Sequence, residues 1–244
     1  MKKYKIIIFD LDDTLIDNLE NIKYAFKCMI ESLNINYNDD LFNRWYLFDK
    51  SFWKDWDDKK IIIPNEYKSP IPKMVEWVQS QRPLLFLKEE LNINIDLQKA
   101  IDLNNYYMEK LKDVVLPIKG AEETLKYLYS QGYVIVVATN GAKPAVSEKL
   151  KKINCLEYIN NILTATDIGE RKPSPVFFEG ITKLMGNNNL SDYLMIGNSY
   201  REDVLGAQNA GIDACLLNIG DEKFVDNQKP VYTINELIEL KNIL

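Results

Sequence analysis

Five residues, Asp10-Leu11-Asp12-Asp13-Thr14, follow directly on the apolar stretch KIIIF at positions 5–9. Alternate residues of an extended segment point to the same side, so Asp10 and Asp12 are expected to emerge together from the end of a strand. One carboxylate there can attack an electrophile while the other moves protons. Asp and Thr also favour loops and helix N-caps, which is the plainer reading of the same run.

Three later segments offer matching chemistry. Thr139-Asn140-Gly141 follows a second apolar run, and its hydroxyl and backbone N–H groups suit a phosphate at the start of a helix. A simple strand-to-helix turn would look alike. Arg171-Lys172-Pro173-Ser174-Pro175 sets a lysine before a proline-started helix, where an ammonium can neutralise charge developing on a phosphoryl group. Taken alone, such a lysine is ordinarily a solvated surface residue. Gly197-Asn198-Ser199-Tyr200-Arg201-Glu202-Asp203 carries oxygens suited to a hard cation, or else forms another N-cap loop.

Composition narrows the chemistry further. The 244 residues include no histidine, which excludes Ser-His and Cys-His pairs and any imidazole ligand. Proton transfer and metal binding therefore fall to carboxylates. None of Cys28, Cys155 and Cys215 has an arginine six residues later, and no GxxxxGK[ST] loop occurs. The three cysteines are far apart, without a disulfide or zinc spacing, and read as reduced structural thiols. A net charge of -6 argues against a nucleic acid polymer as partner and leaves room for a small anion. The N-terminal apolar run is too short for a signal peptide core, and no run of eighteen apolar residues occurs, so a soluble cytoplasmic protein with no membrane partner is expected.

The elements that must hold these residues are legible as a pattern. Short apolar runs at 5–9, 134–138, 162–165, 193–196 and 214–217 read as buried parallel strands. Helical patterns at 122–130, 143–154 and 175–185 lie between them. This alternation predicts an α/β fold, a doubly wound, Rossmann-like parallel sheet, with ligands at the carboxyl ends of the strands. From 17 to 115 the pattern changes to aromatic-rich and charged helices, at 19–33, 40–56 and 96–114, with no convincing strand. The expected organisation is a core domain from 1–16 and 116–244 with an all-helical insertion at 17–115, closed by the breaker-rich return at 116–120.

In order, DxDxT, T-N-G, K-P and GNSxxxD resemble the four motifs of the haloacid dehalogenase superfamily, and the helical insertion sits where one class of its caps belongs. The resemblance spans nearly the whole chain. It implies a phosphatase in which Asp10 attacks phosphorus to form an aspartyl-phosphate, while Asp12 protonates the leaving alcohol and then activates water. It implies that Thr139, Asn140, Gly141 and Lys172 bind the phosphoryl oxygens, with Lys172 also catalytic. Mg²⁺ is the implied cofactor, held by Asp10, the Asp12 carbonyl, Asn198 and Asp203. Two positions depart from the family pattern. Asn198 stands where an aspartate is common, which removes one negative charge and implies weaker metal binding, partly compensated by Asp203 or Glu202. Asp13 stands where glycine is frequent, a milder change. The dehalogenating members match poorly, because they are understood to lack the acid at the place of Asp12.

The insertion is rich in aromatics: Phe42, Trp45, Tyr46, Phe48, Phe52, Trp53 and Trp56. A nucleobase can stack on such a ring, but most of these residues fall at helical spacings of three, four and seven, which favours packing within the cap. The segment at 52–61 resembles the cap of bacterial pyrimidine 5'-nucleotidases, so the expected substrate is a nucleoside 5'-monophosphate. Phosphoglycolate or a sugar phosphate is the alternative, and a catalytically impaired phosphate-binding protein is the reading from a different class. The expected partner is a small-molecule phosphate ester bound by a monomer or homodimer.

Overall fold

The computed structural model describes residues 3–141, 143–219 and 229–244, without the side chains of Asp57 and Ile71. It comprises two compact units: Met1–Leu19 with Val115–Leu244, and Glu20–Val114.

The first unit is built on six parallel strands. β1 (Ile6–Phe9) lies at the centre, flanked by β4 (Val134–Thr139) and β6 (Tyr193–Gly197). Outside these run β5 (Asn161–Thr164) on one edge and β7 (Asp213–Leu217) then β8 (Tyr232–Ile234) on the other. Register places Ile8 between Val136 and Met195.

Both faces of the sheet are covered, which is why the strand sequences are apolar throughout instead of alternating. Ile7 and Phe9 point to a core shared with Leu125 and Leu128 of α5 (Ala121–Ser130) and Val146 and Leu150 of α6 (Lys143–Lys152). Ile6 and Ile8 point to the opposite core, with Phe177, Phe178 and Ile181 of α8 (Pro175–Met185). Each such fully buried side chain contributes roughly 1.5–3 kcal/mol.

A small antiparallel pair absent from the sequence reading joins β2 (Ile16–Asp17) to β3 (Leu116–Pro117). Leu116-Pro117 thus pairs as a strand within what reads as a breaker-rich return. β8 also lies beyond the predicted strands; it is short and contributes only one fully buried residue, Ile234.

The second unit is all-helical among its described residues. α1 (Asn18–Glu31) starts at its boundary and is followed by α2 (Asp39–Asp57), α3 (Ile71–Leu91) and α4 (Leu97–Lys110). Asn38 and Asp96 cap α2 and α4 by accepting from Leu41 N and Lys99 N. Trp45 is fully buried and stacks on Phe26 at 5.3 Å, with Phe86 and Tyr107 edge-on at 5.1 and 5.6 Å. Phe42 and Phe52 are buried too, so these rings form the packing core that their spacing suggests.

α3 has no counterpart in the sequence reading, because Pro70 and Pro72 at its start and Pro83 within it read as breakers and its apolar residues do not keep to one side. Pro83 has no N–H for the carbonyl of Gln79, and Arg82 Nε donates to that oxygen instead, at 3.3 Å. The buried guanidinium also binds Asp49 at 3.1 Å and Asn104 at 2.8 Å.

Candidate active site

The parallel sheet brings the ends of β4, β1 and β6 side by side, and the four polar segments of the sequence leave from these ends and from the loop before α8. Asp10 continues the β1 ladder by donating its N–H to Ile196 O at 2.9 Å. Its side chain is buried, with only 7% of the residue exposed.

Lys172 reaches the same spot from the loop before α8. Its Nζ lies 2.6 Å from Asp10 Oδ1 and 2.6 Å from Asp203 Oδ1, and only 2% of its side chain is exposed. A lysine that composition alone would put in solvent is thus locked between two buried carboxylates. Burial would favour the neutral amine, but the charges of Asp10 and Asp203 hold Lys172 above the ordinary lysine value. Two carboxylates share one ammonium, so the triad is short of positive charge. Burial, opposed by Lys172 and reinforced by Asp203, pushes Asp10 up to about 7.

Asp203 sits in a π-helical turn, Tyr200–Leu205, where its Oδ2 accepts from Ser199 N at 3.0 Å. A side chain on Gly197 would run into that carboxylate, which accounts for glycine at the end of β6. Asp203 therefore enters the site as a counter-ion of Lys172, with its second oxygen tied to the Ser199 backbone.

Thr14 ties the first and fourth segments together. Its Oγ1 lies 3.3 Å from Asp10 Oδ2 and 3.2 Å from Asn198 Oδ1, and accepts from Asn198 N at 3.1 Å. Asp12 is held from α6, with its Oδ1 2.6 Å from Lys149 Nζ. Asp13 adopts φ +59° and its Oδ1 accepts from Asn18 N at 3.0 Å, at the start of α1. Asparagine and aspartate tolerate this left-handed conformation better than most residues, which explains why Asp13 can stand where glycine is frequent.

Thr139 ends β4 nearly buried, and its Oγ1 accepts from Gly141 N at 3.1 Å, so the hydroxyl proton remains to be donated. Asn140 does something the sequence did not suggest. Its side chain grips the Lys172 backbone from both sides, accepting from Lys172 N at 2.9 Å and donating to Lys172 O at 3.3 Å. Its Nδ2 also lies 3.2 Å from Glu202 Oε2.

Glu202 and Lys149 are contacts of the site that the sequence reading leaves out or underuses. For Lys149 a signal exists: it falls three residues after buried Val146 and one before buried Leu150, a cation at the edge of the apolar stripe of α6.

Comparison with known proteins agrees with this geometry. A family model for haloacid dehalogenase-like hydrolases matches residues 4–211. The HAD-hydrolase YfnB of Bacillus subtilis is 25% identical over 100% of this chain and 97% of its own. Its crystal structure, described as bound to magnesium and revealing interdomain movement, superposes with a TM-score of 0.86. The pyrimidine 5'-nucleotidase YjjG of Escherichia coli is 22% identical, covering 99% of this chain and 98% of its own. A glyceraldehyde 3-phosphate phosphatase of Pyrococcus furiosus is 25% identical, covering 100% and 94%. Four motif segments gathered at the ends of parallel strands, and a family match over most of the sequence, lead to one assignment: the chain belongs to the haloacid dehalogenase-like hydrolases.

Proposed function

We propose that this chain is a Mg²⁺-dependent phosphatase that hydrolyses a small phosphate monoester through phosphorylation of Asp10, with the helical unit Glu20–Val114 as its cap. The observation that carries this reading is Lys172, buried at 2.6 Å from Asp10. An ammonium fixed beside a carboxylate nucleophile is placed to bind the phosphoryl oxygens as their charge grows. Thr139 offers the same group a hydrogen bond from its hydroxyl. As the Asp10–phosphorus bond forms and the ester P–O bond breaks, Asp12 gives its proton to the departing oxygen. In the second half a water attacks phosphorus, its proton passes to Asp12, and Asp10 is released.

The residues fit a hard cation. Among the described residues no cluster of three or more acidic or thiol side chains is placed for a metal, so the donors must include amide and backbone oxygens. Thr14 has one hydroxyl proton for two acceptors, Asp10 Oδ2 and Asn198 Oδ1, which leaves an oxygen without a donor beside a triad short of positive charge. Asp10, the carbonyl of Asp12 and Asn198 would hold Mg²⁺. When bound, the ion offsets repulsion between the Asp10 carboxylate and the phosphate.

For the substrate, a nucleoside 5'-monophosphate is supported by the cap segment at 52–61, whose Asp57 side chain lies outside the described residues, and by relatives such as YjjG, a pyrimidine 5'-nucleotidase. A sugar or glycolate phosphate is the second reading, because relatives of similar identity are a glyceraldehyde 3-phosphate phosphatase and a phosphoglycolate phosphatase. Phosphate release from a panel of nucleoside monophosphates, sugar phosphates and phosphoglycolate, with Mg²⁺ or EDTA, tests both. Fastest release from pyrimidine nucleotides with Mg²⁺ is the expected result. Release from none of them would sink the phosphatase reading and favour a phosphate-binding protein.

A further inference from the structure

We propose that Lys149 is a positioning residue that holds the Asp12 carboxylate with one defined oxygen turned to the leaving group. This assignment rests on the reading of Asp12 as the acid and base of phosphate ester hydrolysis.

Of the described lysines engaged in ion pairs, the two whose side chains are least exposed are Lys172, at 2%, and Lys149, at 14%. Pairs such as Lys5–Asp192 and Lys119–Glu236 keep 64% and 83% of the lysine in water. The two shielded lysines end on the two aspartates that alternate at the end of β1. A lysine that only served solubility would keep its amine in solvent, since withdrawing an ammonium from water is unfavourable unless a partner is fixed for it. Here the partner is Asp12, 137 positions away in the chain and 2.6 Å away in space.

The geometry also says which oxygen of Asp12 is used. An ammonium has only donors, so Oδ1, facing Nζ, can only accept. The exchangeable proton must therefore sit on Oδ2, which makes no hydrogen bond to the described residues. Asp12 keeps 37% of its side chain exposed, and without a tether it would sample several rotamers, only some of which reach the ester oxygen. Lys149 can supply that tether because α6 is rigid: Val146 and Leu150 on either side of it are buried against the sheet. The same helix follows the Thr139-Asn140-Gly141 turn, so one element sets both the phosphate-binding turn and the orientation of the acid.

A merely structural staple between the Asp10–Thr14 loop and α6 makes a different prediction. An acid that protonates the leaving oxygen matters when that oxygen is basic and hardly at all when the leaving group is an acidic phenol. kcat/KM should be measured for β-glycerophosphate and p-nitrophenyl phosphate with wild type, Lys149→Met, Lys149→Arg and Asp12→Asn, with melting temperatures recorded alongside. The expected result for Lys149→Met is a loss of about 10- to 100-fold on the alkyl ester against less than about 3-fold on the aryl ester. Lys149→Arg should recover most of the loss, and Lys149→Met added to Asp12→Asn should cost nothing more. Equal losses on both esters, no loss on either, or a further loss in the Asp12→Asn background would overturn the assignment. If Lys149→Met does not fold, Lys149→Gln carries the same comparison. A wild type that releases phosphate from neither ester, or an Asp10→Asn variant that still does, would overturn the hydrolase reading itself. An active, Asp10-dependent wild type with an unchanged leaving-group preference in the variants would overturn only the role of Lys149.

Discussion

Lys172 and Asp10 are 162 positions apart in the chain, and their side chains meet at 2.6 Å in a nearly solvent-free site. Because Asp203 shares the same ammonium, the lysine both charges the proposed phosphate site and keeps two buried carboxylates from repelling each other. Lys172→Met is expected to lower kcat by about 10²–10³-fold. It should also cost about 3–5 kcal/mol of stability, since two acids are then left buried without a counter-ion. Steady-state kinetics and urea unfolding read the two effects separately.

Gly197 gives Asp203 room to approach. Gly197→Ala forces a methyl group against that carboxylate, and overpacking of this kind costs about 1–3 kcal/mol. The expected outcome is a folded protein whose activity falls more than its stability, because Asp203 is displaced from Lys172. Circular dichroism melting beside kcat/KM checks it.

The strands and the four motif segments were readable because each strand is buried on both faces and ends abruptly in polar residues. That pattern survives in a single sequence. What was not readable are the relationships between segments: Asn140 with Glu202 lie 62 positions apart and Lys149 with Asp12 137. No periodicity carries such information. The family resemblance implies Asn140 as a phosphate ligand, while its side chain is committed to the Lys172 backbone. α3 was missed for a local reason, since its prolines mimic loop punctuation while Arg82 repairs the gap at Pro83.

Magnesium binding should depend on pH with a definite sign. Asp10 is raised from 3.8 to about 7, chiefly by burial. In the metal-free protein the folded state then holds more protons than the unfolded state across that window, so the contribution of Asp10 to stability declines as pH rises through it. Mg²⁺ needs the carboxylate and must displace the proton at low pH. The rise in melting temperature on adding Mg²⁺ is therefore expected to be larger at pH 8 than at pH 5, reaching about 2.7 kcal/mol of stabilisation at a hundredfold excess over Kd. Calorimetry at the two pH values measures it, and an equal shift at both would contradict this account of Asp10.

Asn198 offers an amide oxygen where a second carboxylate would add charge. Asn198→Asp is expected to lower the Mg²⁺ concentration for half-maximal activity by about tenfold, a difference of about 1.4 kcal/mol. Titration of activity with Mg²⁺ reads the change directly.

The most direct test of the central claim is to quench the wild type with acid during turnover of a radiolabelled phosphate monoester and locate covalent phosphate by peptide mass spectrometry. The account predicts label on the peptide carrying Asp10, formed only with Mg²⁺ present and lost in Asp10→Asn. Turnover without covalent phosphate, or label and activity that persist in Asp10→Asn, would contradict it.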